Sequence, residues 1–309
     1  MIVYLDQNKW IEIARIIHGI DTSERAIALL QEINVALNEG YIFPLSAIHI
    51  MEFSRIKNTG RRSRLGEVMW KLSQGYTLAP QSEIVCWEIE IALFEMGFNI
   101  KPRKLNLIGH GISHAFGEEI DSSIESLFGD KINEAMLTGN KALNIDPLQF
   151  LSQEHRKNFS NHLNSLKTQK HKLAKSKWEN WLYAISTKDI IQPLYEVMCK
   201  HKIPNTMLNN WGENEFKEFI NRIPTRKLDT HLHRQVLKND QYKPKISDLE
   251  DWAGLGLAMC YCDLVICENH FTDLASRGHY KTKARVETNI YDIFLHSDSY
   301  NNQTSSPLK

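Results

Sequence analysis

The chain opens on an unbroken apolar run. Met1 to Leu5 is rich in β-formers and stops at Asp6-Gln7-Asn8, after which Lys9-Trp10-Ile11-Glu12-Ile13-Ala14 takes up helical spacing. This pattern predicts a buried strand over 2–6 and a helix over 9–18. A second helix over 22–38 is expected after a cap at Asp21 or Thr22, closing at Glu39-Gly40. Tyr41 to Leu45 reads as a short strand, and Ser46 then caps a helix through Ile48, Met51, Glu52 and Ile56. Helices near 64–74 and 82–96 flank an extended Tyr76-Thr77-Leu78. Strands alternating with helices predict an α/β fold, a parallel sheet covered by helices.

From 98 to 245 the spacing changes. Apolar residues recur at helical intervals, as in Ile124-Leu127-Phe128 and Trp178-Trp181-Leu182-Ile185, and strand-like runs are absent. This stretch reads as a mostly α-helical insertion, with Trp178, Trp181 and Trp211 in its core. The α/β pattern returns at 246. Ser247-Asp248-Leu249-Glu250 has capping-box form and opens a helix to about Cys260. Asp263 to Cys267 is a compact buried strand, Lys283 to Glu287 a further one, and Thr288 caps a last helix to about His296. The expected organisation is an α/β domain over 1–97 and 246–296, an insertion over 98–245, and a flexible polar tail over 297–309.

Composition narrows the class. Hydrophobic residues make up 42% and charged residues 24%, and the formal net charge is zero. A uniformly basic nucleic-acid coat protein is excluded; a local basic patch is not. No apolar stretch reaches the about 20 residues that span a bilayer, and no signal peptide is recognisable, so a cytoplasmic location without membrane contact is expected. The five cysteines show no framework spacing, and Cys260, Cys262 and Cys267 read as small buried thiols.

The chemistry lies in the acids. Asp6 ends the first strand, and Glu52 sits about two turns into the helix after the second. Asp248 and Asp251 share one face at a helix start, Asp263 begins the next strand, and Glu268-Asn269 follow its carboxyl end. Ligands of open α/β sheets bind beyond the carboxyl ends of the strands, where these groups can meet. Several carboxylates in one cleft stay ionised only around a cation, and oxygen ligands without His or Cys favour Mg²⁺ or Mn²⁺.

These residues resemble the motifs of the PIN-domain nucleases. Tyr4-Leu5-Asp6-Gln7-Asn8 is similar to the first motif, a hydrophobic strand ending in Asp-x-Asn. Pro44-Leu45-Ser46 with Glu52 is similar to the second, and Asp251 with Ala258 seven residues on resembles the third. The fourth motif departs from the family: Cys267 stands for the usual Thr and Asn269 for the usual Asp. The resemblance covers roughly 1–97 and 246–296 and implies a divergent PIN-like domain. It further implies a Mg²⁺- or Mn²⁺-dependent endoribonuclease, of a kind that often serves as a toxin or defence effector. Asp6, Glu52 and Asp251 would be the catalytic ligands, with Asp248, Asp263 or Glu268 completing the set. Asn8, Ser46 and Asn269 would support them.

The basic segment Arg55, Lys57, Arg61, Arg62 and Arg64 follows Glu52 and is expected to contact nucleic-acid phosphates. Lys167, Lys170, Lys172, Lys175 and Lys177 either line a nucleic-acid channel or keep a helix soluble; His231 and His233 are weaker candidates for phosphate contact. RNA is the expected partner, with single-stranded DNA, an antitoxin or other regulatory protein and a second copy of the chain also compatible. Two alternatives stay open: a catalytically inactive PIN-like module that binds nucleic acid or protein, and a metal-dependent phosphatase or DNA nuclease.

Overall fold

The computed structural model describes residues 1–118, 129–149 and 154–294. The expected helical turn at Ile124-Leu127-Phe128, the end of the last helix at His296 and the 297–309 tail lie outside the described residues. The protein is mostly helical around a small parallel sheet, an α/β architecture.

The first strand, β1 (Val3–Leu5), pairs in parallel with β4 (Leu264–Ile266), which pairs in parallel with β5 (Arg285–Glu287). The register is Val3 to Leu264 and Leu5 to Ile266, so residues more than 250 positions apart end side by side. On the other flank of β1, the strand expected over 41–45 forms only isolated parallel bridges, Ile2 to Ile42 and Leu45 to Thr77. Pro44 between them has no N–H to extend a ladder. The bridge at Leu45 leads to β2 (Tyr76–Leu78), whose antiparallel partner is β3 (Ile108–His110). β3 corrects the expectation of no strand between residues 98 and 245. Its Ile-Gly-His sequence carries little strand signal, and the pairing edge of β2 makes it extended.

Alternation along the strands sends side chains to two helical layers. Val3, Leu5, Leu264 and Ile266 pack against α1 (Gln7–Ile17), α2 (Glu24–Asn38) and α4 (Thr59–Ser73). α3 (Ala47–Ser54) and α7 (Asp130–Thr138) join this layer through Ile50 and Leu137. A Cβ at Gly66 of α4 would lie 2.0 Å from the Leu137 carbonyl oxygen, so the α4–α7 crossing depends on glycine. Ile112 of α6 (Gly111–Phe116) packs in the same core, which ties the stretch after residue 98 to the sheet.

Tyr4, Val265 and Cys267 face the opposite layer. It holds α8 (Glu154–Lys170), α9 (Trp178–Asp189), α12 (Pro224–Lys238), α13 (Gly256–Tyr261) and α14 (Asn269–Ser276). A third core is wholly helical and joins α5 (Gln81–Glu95), α10 (Ile191–Lys200) and α11 (Glu213–Asn221). Trp178, Trp181 and Trp211 pack partly buried against these helical cores, as their spacing suggests. Cys262 and Cys267 are buried free thiols.

Candidate metal centre

Four elements contribute acids to this site: the ends of β1 and β4, α3, and a π-helical turn. Asp6 is the first residue past the strand, and its backbone N–H donates to the Ile266 carbonyl at 2.9 Å, which fixes it beside the end of β4. Its carboxylate also caps α1, accepting the Gln7 amide at 2.8 Å. The capping role and the site role therefore coincide in one residue. The following Gln7 is buried, and neither atom of its carboxamide has a hydrogen-bond partner among the described residues.

Glu52 arrives on α3, whose start is locked to β1. Ser46 caps the helix through the His49 amide, and its hydroxyl lies 2.9 Å from the Tyr4 hydroxyl. His49 Nε2 is 2.7 Å from the Leu5 carbonyl, and Nδ1 is 3.2 Å from the Ser46 amide nitrogen. A carbonyl only accepts and a backbone N–H only donates, so the proton sits on Nε2 and the ring is neutral. Burial agrees, pushing the imidazole pKa down to about 4.

Asp251 opens a π-helical turn, Asp251–Leu255, between the short helical turn Asp248–Glu250 and α13. One extra residue per turn re-aims the side chains at such bulges. Gly254 lets the turn close onto the sheet: a Cβ there would lie 2.8 Å from the Tyr4 hydroxyl. Glu268, after β4, receives a hydrogen bond from the Asn8 carboxamide.

The result is a crowd of like charges. Burial raises the Asp6 pKa to about 6, the Gln7 amide opposes it, and Glu268 adds repulsion. Burial and then Asp6, Glu250 and Asp251 raise Glu52 to about 8. Burial and then Asp6, Asp248 and Glu268 raise Asp251 to about 7. Among the described residues, neither the Glu52 nor the Asp251 carboxylate has a hydrogen-bond or ion-pair partner. Asp6, Glu52, Asp251 and Glu268 thus share one electrostatic environment.

The donor chemistry, oxygen only and mutually repelling, fits a hard dication. Among the described residues, no group of three or more His, Cys, Asp or Glu side chains is arranged to hold a metal ion. Asn269 is exposed in the first turn of α14, beside Glu268.

Other expected members lie elsewhere. Asp263 stands at the amino end of β4, where it accepts the Ile2 amide at 2.8 Å. Parallel register puts it at the edge opposite Asp6, so it cannot join Asp6 and Glu268. Asp248 is buried, and its carboxylate accepts from the Tyr242 hydroxyl and the Lys245 amide, both at 2.8 Å. It ties down the loop before the helix. The Ser247 capping box does not form: Ser247 makes no side-chain cap bond, and Glu250 is buried between Arg55 and Arg156.

The basic segment divides. Arg55 is committed to Glu250 rather than to Glu52 or phosphate. Arg62 is buried and donates to the Pro147 and Ile56 carbonyls, so it holds α4 in place and offers nothing to a ligand. Lys57, Arg61 and Arg64 are exposed. In the helical region, Lys167 and Lys170 bond carbonyls and Asp240 in the 237–242 turn, a structural use. His231 bonds the Ala275 carbonyl and His233 pairs with Asp229, so both serve packing.

Sequence reasoning missed Tyr4, His49, Gly254 and Glu250. His49 three residues after Ser46 was the one local signal, a reciprocal cap with histidine in the place usual for Glu. Among the described residues, no helix is long and apolar enough to cross a membrane. No family model, curated protein or solved structure matches the chain.

Proposed function

We propose that the protein is a Mg²⁺- or Mn²⁺-dependent endoribonuclease built on a divergent PIN-like α/β body. The observation that carries this reading is the unpartnered pair Glu52 and Asp251, half-buried and repelled by Asp6, with all three pKa values raised. A fold gains nothing from such repulsion, and removing it requires either protons or a cation. Asp6, Glu52 and Asp251 would hold the ion, and Glu268, oriented by Asn8, would complete the set. When bound, the ion supplies an activated water and charge stabilisation for phosphodiester hydrolysis. Tyr4, Ser46 and neutral His49 brace the wall behind the acids, so their geometry survives a change of charge. Arg61 and Arg64 would take strand phosphates. RNA over DNA rests on the PIN resemblance, as does a toxin or defence role.

The arrangement of the acids and Asn269 in the fourth-motif position favour a second reading, a PIN-like module that binds nucleic acid without cutting it. One experiment separates the two: purified protein, Mn²⁺ or chelator, and end-labelled RNA and single-stranded DNA. The nuclease reading expects internal cleavage that needs the ion and falls at least about a hundredfold in Asp251→Asn. Binding without cleavage by the wild type overturns it. Phosphate release from mononucleotides alone indicates a phosphatase instead.

A further inference from the structure

A cleft of about 310 Å³ lies between the carboxyl end of α1 and the amino end of α4. Three guanidiniums line it, those of Arg15, Arg61 and Arg64, together with His18. No acid lines it, and among the described residues none of the three arginines has an ion-pair partner. Asp21, which Arg15 helps to hold below the usual carboxylate range, accepts the Ser23 amide at 3.1 Å. The walls are apolar, made by Ile11, Ile20, Ile56 and Leu65. Ile20 is 64% exposed at the cleft.

Each feature has a plain explanation alone, since surface arginines are usually solvated. Together they describe a ligand. Three like charges around one cleft repel, and an anion between them removes that cost. Guanidiniums grip phosphate by paired N–H bonds. Three cations suit the roughly two negative charges of a terminal phosphate better than the single charge of an internal phosphodiester or a carboxylate. The isoleucine and leucine walls suit a flat apolar ring. The volume stands at the small end of ligand clefts, about 300–1,000 Å³, which admits one nucleotide-sized unit.

We propose that this cleft binds a phosphomonoester attached to a nucleobase-like ring, either a free nucleotide or the phosphorylated end of a strand. Arg15 and His18 join Arg61 and Arg64 in the site, and Arg55 and Arg62 do not. The inference shares Arg61 and Arg64 with the nuclease reading but needs neither the acidic centre nor a metal ion.

The test is binding in excess chelator, so that the carboxylate centre plays no part. Adenosine monophosphate, adenosine, and a tetranucleotide with and without a 5′-phosphate are titrated by calorimetry. Loss of the terminal phosphate should weaken binding about tenfold or more. Binding of the mononucleotide alone marks a free nucleotide as the ligand, and binding of the phosphorylated tetranucleotide alone marks a strand end. The Arg61→Gln/Arg64→Gln variant should bind about tenfold more weakly while melting at the wild-type temperature. Arg15→Gln, on the other helix, should do the same and guards against a local effect on α4. Equal affinity with and without the phosphate, or no binding of any probe, overturns the proposal. Cleavage in Mn²⁺ is scored separately, so either idea can fail without the other.

Discussion

Asp6, Glu52 and Asp251 stand where a strand, a helix and a π-helical turn end at one edge of the sheet; Glu90 and Asp229 stand inside the helical layers. All five acids are largely removed from water, yet their protons behave oppositely. Glu90 Oε1 faces Arg103 at 3.1 Å, Lys200 at 3.0 Å and His201 at 3.1 Å, and Oε2 accepts the Arg103 amide at 2.6 Å. Burial alone would raise its pKa, but these partners outweigh burial and hold it at about 2. Asp229 is likewise held at about 2, with His233 and Arg226 outweighing burial. At the sheet edge nothing outweighs burial, and the values rise to about 6, 8 and 7. Burial of an acid therefore says little by itself. What separates a structural acid from a functional candidate is whether the fold supplies its counter-charge.

Charge removal should expose that contrast most strongly. Glu90→Gln leaves the Arg103 and Lys200 cations facing a neutral amide and should cost about 2–3 kcal/mol, discounted because Lys200 and Arg103 are partly exposed. Asp251→Asn removes a repelled charge and should leave stability unchanged or raise it by about 1 kcal/mol in chelator. Urea unfolding of both variants measures the pair, and a loss in Asp251→Asn as large as that in Glu90→Gln would erase the distinction.

The pH dependence comes next, and the two groups carry opposite signs. Folded Asp6, Glu52 and Asp251 hold protons that the unfolded chain, with carboxyl pKa values near 4, has released. Without metal, their contribution is full below pH about 4 and is lost as pH rises through about 6 to 8. Glu90 and Asp229 contribute stability above pH about 4 that is lost as pH falls toward 2. Melting curves in chelator should therefore decline on both sides. Asp6→Asn/Asp251→Asn should flatten the alkaline side and leave the acid side intact, and Mn²⁺ should restore the wild type at pH 8. A wild-type alkaline side indifferent to both changes would remove the electrostatic basis of the centre.

The smallest expected effect is at the wall behind the acids. Tyr4→Phe breaks the bond to Ser46 and should cost about 1 kcal/mol. Its melting temperature should fall a few degrees with Mn²⁺ affinity unchanged, because Tyr4 braces the site without donating to it.

Much of the site was legible because its signals are local. The apolar run ending at Asp6, the helix carrying Glu52, and the β4 strand ending before Glu268 can each be read within ten residues. What failed depends on partners far along the chain. Asp263 resembles its neighbours in sequence, but parallel register sends it to the opposite edge. Asp248 and Glu250 satisfied a capping pattern, yet Tyr242, Arg55 and Arg156 claim them. Arg62 sits in a basic run whose other exposed members face water, and only the helical phase of α4 turns it inward. The π-helical turn that aims Asp251 leaves no sequence trace beyond Gly254, whose need appears only beside Tyr4.

The pairing of β1 with β4 also has a consequence for biosynthesis. Val3 meets Leu264, its partner across 261 positions. During translation the apolar first strand leaves the ribosome long before that partner is made, so it must wait unpaired or under chaperone cover. A nascent polypeptide already carrying Asp6 and Glu52 still lacks Asp251 and the strand that fixes them. The acidic cluster can thus come into being only after Asp251 and β4 have been made, and a product cut short before them would lack it.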